Sequence, residues 1–119
     1  MNANGLARAY IAKGMNTRDF LNYVVDCVNR ELREWEIEGQ VTHQWNSKKR
    51  GTLLISYHSL STTVYFDLSL LSKFQQAGPY ALDRLIWRLF ENQGLPVPKD
   101  HYIETVLNEN FDFPESIPS

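Results

Sequence analysis

Between residues 41 and 70 the chain alternates three times. Val41, His43 and Trp45, then Leu53, Ile55 and Tyr57, then Val64, Phe66 and Leu68, recur at every second position. Successive side chains of a strand point to opposite sides, so each trio marks one face of one strand. The connections between them are short enough for hairpins, which makes the three strands an antiparallel meander with one apolar face. Such a face is buried under helices, and helical patterns lie on both sides of it in the sequence. The expected fold class is α+β: a three-stranded antiparallel β-meander flanked by an N-terminal helix and two or three C-terminal helices packed on one sheet face.

The helical patterns have clear punctuation. Phe20, Leu21, Val24, Val25, Val28, Leu32 and Trp35 recur at three- and four-residue steps, with Asn16 placed to cap and Asp19 in the first turn. After the strands, Ser69 is the expected cap of a brief helix carrying Leu70, Leu71 and Phe74 and ending at Gly78. Pro79 suits a first helical position, and Leu82, Leu85, Ile86, Leu89 and Phe90 then form the cleanest apolar stripe. Gly94 fits the left-handed closing position, with Leu95 folding back and Pro96 blocking continuation. Asp100 is placed to cap a last helix in which Ile103, Val106 and Leu107 share a face. In the first hairpin, Ser47-Lys48-Lys49-Arg50-Gly51, the glycine is the expected supplier of positive φ.

The expected organisation is a short N-terminal helix within residues 1–15 (its turns at 6–13), one α+β domain over 16–107, and an acidic extended tail over 108–119. At 119 residues one domain is the default, and a chain of this size buries a core without metal or disulfide staples. The single cysteine, Cys27, has no internal disulfide partner, which favours a reducing compartment. No apolar run reaches the roughly 20 residues that span a bilayer, and the first residues lack the apolar core of a secretory signal. The expectation is a cytoplasmic protein with no membrane contact. Net charge is -2, distributed unevenly: -5 over residues 100–119, and +3 over the rest.

Catalytic signatures are sparse. His43 and His58 fall on opposite strand parities, His101 begins a helix and Cys27 lies mid-helix, so no zinc-type spacing arises and no metal site is expected. Cys27 reads as a small, inert hydrophobe at the stripe's margin. No serine sits in a nucleophile elbow, and Asp67 lies outward with Thr63 and Tyr65, away from any paired acid. The glycines stand singly at element ends, leaving no phosphate loop and no cofactor expectation. The chain reads as non-enzymatic, and an enzyme would require His58, Asp67 or His43 to converge only in three dimensions.

Two binding readings remain. The preferred one is a small protein-binding module, an adaptor, chaperone or inhibitor. Tyr80, Arg84, Trp87 and Arg88 flank or oppose the stripe of their helix and are the residue types that anchor interfaces, with Phe111 and Phe113 as tail anchors. The outer strands also expose backbone groups that would accept a partner strand or pair two copies into a homodimer. The alternative is nucleic-acid binding, with Lys48, Lys49 and Arg50 gripping phosphates and Trp45, Tyr57 and Tyr65 stacking bases. The order helix, three strands, helix is similar to that of double-stranded RNA-binding domains. Their lysine-rich start to the second helix is here Gln75-Gln76-Ala77-Gly78-Pro79-Tyr80, and a pI near 5.9 is low for a dedicated binder. Compact acidic secretion chaperones are similar in their early helix–meander–helix order.

Overall fold

A computed structural model describes residues 14–78 and 80–108. The helix expected over residues 6–13, Pro79, and the tail from residue 109 onward with Phe111 and Phe113 lie outside the described residues. The elements run α1 (Thr17–Glu34), β1 (Gly39–Trp45), β2 (Arg50–Tyr57), β3 (Leu60–Asp67), α2 (Leu68–Ala77), α3 (Ala81–Asn92) and α4 (His101–Asn108). The three strands form one open antiparallel sheet in the order β1-β2-β3, and the fold is a small α+β fold. Among the described residues no helix is long and apolar enough to cross a membrane.

Local chemistry accounts for most boundaries. The Asn16 Oδ1 accepts the Asp19 amide at 2.8 Å while its Nδ2 donates to the Asp19 carboxylate at 2.9 Å, a reciprocal cap that starts α1. At the other end Glu36 takes φ +56, so that the amides of Ile37 and Glu36 reach back to Leu32 O and Arg33 O. That is a left-handed helix end built without glycine. α3 ends as expected: Gly94 stands at φ +90, its amide bonds Glu91 O, and the Leu95 amide bonds Phe90 O at 3.1 Å. Asp100 caps α4 through the Ile103 amide at 2.9 Å.

Three expectations change. The cap of α2 is Asp67, not Ser69: the Asp67 Oδ1 accepts the Leu70 amide at 2.7 Å, and Leu68 belongs to the helix rather than to β3. Gly51 sits inside β2 without positive φ, and the turn is organised by the Ser47 hydroxyl, which accepts the Arg50 amide at 3.1 Å. Glycine is required at 51 for closeness instead, since a Cβ there would lie 2.6 Å from Gln44 O and 2.7 Å from the Phe66 ring. The second turn is His58-Ser59, with His58 at φ +54, so Leu60 and Ser61 already belong to β3.

The inner sheet face carries Val41, Leu53, Ile55 and Phe66 into the core, under Phe20, Leu21, Val24, Val28 and Leu32 of α1 and Ile86 and Phe90 of α3. α1 packs against β1 and α3 against β2. Among the described residues the helices occupy this one face only, and polar Thr42, Gln44 and Thr63 are exposed on the outer face.

Candidate functional site

α3 presents two flanks, and their fates differ. The flank bearing Tyr80, Arg84 and Trp87, expected to recognise a partner, is covered by α4; the three side chains are 3%, 4% and 0% exposed. The Trp87 Nε1 donates to the Tyr102 hydroxyl at 3.0 Å, and that hydroxyl donates to the buried Asp83 carboxylate at 2.7 Å. The Arg84 Nε donates to Val106 O at 2.8 Å, and Trp35 tilts against Trp87 with ring centroids 5.2 Å apart. These aromatic and guanidinium groups do anchor an interface, but the partner is α4 of the same chain. Arg88 alone of that set is exposed, paired with Glu91 at 3.2 Å.

On the opposite flank Leu82, Leu85 and Leu89 face α2 and the inner side of β3, where among the described residues no further helix completes the cover. The result is an apolar groove of about 300 Å³ whose walls include Val64, Leu70, Phe74, Leu85 and Leu89. It lies beside an edge strand, and the hydrogen-bond register tells which backbone groups that edge presents. The Val41 amide donates to the Asn29 Oδ1 and Val41 O accepts from the Asn29 Nδ2, both at 2.9 Å, so Val41 points away from β2. Alternation along the antiparallel ladder then turns Gly51, Leu53 and Ile55 toward β3, where they pair with Phe66, Val64 and Thr62. The amides and carbonyls of Ser61, Thr63 and Tyr65 therefore point outward. Among the described residues none of them has a hydrogen-bond partner there.

Two exposed apolar side chains lie on the same edge strand. Among the described residues the large hydrophobics left exposed are Leu54, Leu60 and Tyr65, at 40%, 52% and 75%. Leu60 and Tyr65 lie on β3, and Leu54 stands opposite Thr63. Next to the groove, with Tyr65 in the walls of both, lies a wider cleft of about 1020 Å³, lined by Lys48, Lys49 and Arg50 of the first hairpin and Lys73 of α2. The hairpin is tied down from α1, because the Arg18 guanidinium stacks 4.0 Å over the Trp45 ring and donates to Lys48 O.

The residues named for nucleic-acid stacking do not form one platform. Trp45 and Tyr57 belong to the inner face, while Tyr65 lies on the outer one. The Trp45 ring meets Arg18 on one side and the edge of Phe66 at 5.1 Å on another. Tyr57 is half-buried with His58 packed against it at 4.1 Å.

The groups singled out for catalysis stay dispersed. His43 lies half-buried on the inner face, His58 is exposed at the β2–β3 turn, Cys27 is half-buried on α1, and Asp67 is committed as a helix cap. Among the described residues no three His, Cys, Asp or Glu side chains gather closely enough to hold a metal ion. The sequence reading missed one perturbed group, Glu31. It is 1% exposed on α1, one of its carboxylate oxygens has no hydrogen-bond partner, and its pKa rises from 4.5 to about 7. Burial is the main cause, reinforced by the nearby carboxylates of Glu34 and Asp100. A signal was available in the spacing: Glu31 stands seven residues after Val24, three after Val28 and four before Trp35, so it falls inside the apolar stripe of α1 and is buried with it.

Comparison with known protein families, with curated proteins and with solved structures finds no match for this chain.

Proposed function

We propose that this protein is a small, non-catalytic protein-binding module that takes up an extended segment of another protein as a fourth strand alongside β3. The observation that carries the reading is the open β3 edge: outward backbone groups at Ser61, Thr63 and Tyr65 lie directly above an apolar groove. Strand addition needs both parts. Main-chain hydrogen bonds supply affinity, and pockets for alternate side chains supply selectivity. The dispersal of His43, His58, Cys27 and Asp67 supports recognition rather than catalysis, and the lone cysteine supports a cytoplasmic setting.

The test selects a displayed random peptide library on the full-length protein and maps an enriched peptide by amide chemical shifts. Expected are shifts at Ser61, Thr63 and Tyr65 and at the groove residues Leu85 and Leu89, with none along β1. Thr63→Pro removes one outward N–H without touching the β2 ladder, so it abolishes binding while the fold persists. Leu85→Glu blocks the groove from the helix side and does the same. Shifts confined to β1 or to the outer face, or binding retained in both variants, would overturn the reading.

A further inference from the structure

The apolar groove and the basic cleft adjoin, since Tyr65, Phe66 and Leu70 line both. The cleft lies at the C-terminal end of β3, where Arg50 stands opposite Asp67. Lys48, Lys49, Arg50 and Lys73 converge there in a chain whose net charge is -2, so the cluster is a local departure from the whole. The acid in the described lining, Asp67, caps α2 through its Oδ1 and keeps its charge, so Lys48, Lys49 and Arg50 together still outnumber it. Among the described residues Lys48, Lys49 and Arg50 have no carboxylate within ion-pair distance. Arg18 binds the hairpin through the Lys48 carbonyl and the Trp45 ring, contacts that hold the loop in place without neutralising its charge.

We infer that the segment taken up by β3 is an acidic–apolar peptide in a set order: two or more Asp or Glu side chains lie over the hairpin, followed by alternating large apolar residues that fill the groove. The inference rests on the strand-addition reading and extends it to the chemistry and polarity of the partner. From Ser61 to Asp67 the edge offers about 20 Å at roughly 3.3 Å per residue, room for six or seven added residues. An added strand pairs antiparallel more readily than parallel, so its N-terminal residues stand opposite Asp67 and reach Lys48, Lys49 and Arg50. Its later residues run past Thr63, where every second side chain turns under the sheet toward Val64, Leu85 and Leu89. Cations at one end and an apolar floor at the other select for charge and order together, and the charged end also speeds encounter.

The experiment starts from the library-selected peptide and makes two further versions, one with its acids changed to Asn and Gln and one with its residue order reversed. Binding of the labelled peptides is read by fluorescence anisotropy against the wild-type protein, Thr63→Pro and a Lys48→Gln, Lys49→Gln, Arg50→Gln triple variant whose folding is checked by thermal melting. Acidic residues are expected before the apolar run in the selected set. Neutralising the peptide or the hairpin should each lower affinity about tenfold at about 50 mM salt, a difference that shrinks at about 0.5 M. The reversed peptide should bind less tightly, and Thr63→Pro should abolish binding of all versions. Equal binding of acidic and neutral peptides, both lost in Thr63→Pro, would overturn the charge inference and leave strand addition standing. Binding lost in the triple variant but kept in Thr63→Pro would overturn both. A single-stranded oligonucleotide that displaces the peptide and binds more tightly would replace the acidic peptide with nucleic acid. A concentration-dependent dimer that dissolves in Thr63→Pro would make the occupant a second copy, and so overturn the inference.

Discussion

Along β1 the outward amide and carbonyl of Val41 both meet the carboxamide of Asn29, which imitates a short stretch of neighbouring strand. Along β3 the equivalent groups of Thr63 meet no partner among the described residues, and the floor beside them is apolar rather than filled. The same contrast divides α3, whose Trp87 flank is sealed by α4 while its Leu85 flank lines the groove. Among the described residues α1 packs beneath β1, α3 beneath β2 and α2 against β3, and the groove left between α2, α3 and β3 gives the third strand only a partial roof. An edge left open in this way invites pairing, and natural sheets close such edges unless the opening has a use.

The contrast can be broken first on its sealed side. Trp87→Ala removes a fully buried indole and its bond to Tyr102, and should destabilise the fold by about 3–5 kcal/mol in denaturant titrations. A loss near zero would mean that α4 does not seal that flank. Glu31 carries a cost of its own on the same side. Its folded pKa of about 7 lies above its unfolded value, so the native state binds the extra proton and stability falls as pH rises from about 4.5 to 7. Glu31→Gln should flatten that slope, leave stability at pH 4 nearly unchanged and raise it at pH 8 by roughly 2–3 kcal/mol, as read from urea midpoints across pH. An unchanged slope would place the titrating group elsewhere.

Smaller effects test the edges themselves. Asn29→Ala strips both partners from Val41 and should cost about 2 kcal/mol, while giving β1 the open character of β3. Hydrogen exchange of the Val41 amide would report the change directly, and continued protection would show that another group closes that edge. Thr63→Pro should cost about 1 kcal/mol or less, because its N–H takes no part in the β2 ladder. A loss several times larger would show that β3 already has a partner strand.

Much of the framework was legible because it depends on neighbours along the chain. The period-two trios set the strands and their inner faces, Asn16 and Asp19 started α1, and Gly94, Leu95 and Pro96 ended α3 through bonds spanning five residues or fewer. Errors arose where two local signals competed. Asp67 and Ser69 are both capping types, and the deciding factor was where β3 released the chain. Gly51 looked like a turn residue but is dictated by the Phe66 ring on a strand fifteen positions away. Trp87 and Arg84 were misjudged for the same kind of reason: the residues that cover them, Tyr102 and Val106, stand fifteen and twenty-two positions further on.

The candidate site lay still further from the sequence's reach. Lys48, Lys49 and Arg50 stood out as a charged tip, and Tyr65 as an outward aromatic, yet nothing local joined them to Lys73, Leu85 or Leu89. By itself the sequence determined the elements, their order and the apolar face of each, because periodicity and capping act over a few residues of chain. Only the tertiary structure decided which face stays uncovered, because an edge is open or closed according to whether a distant side chain, such as Asn29, arrives in time to satisfy it.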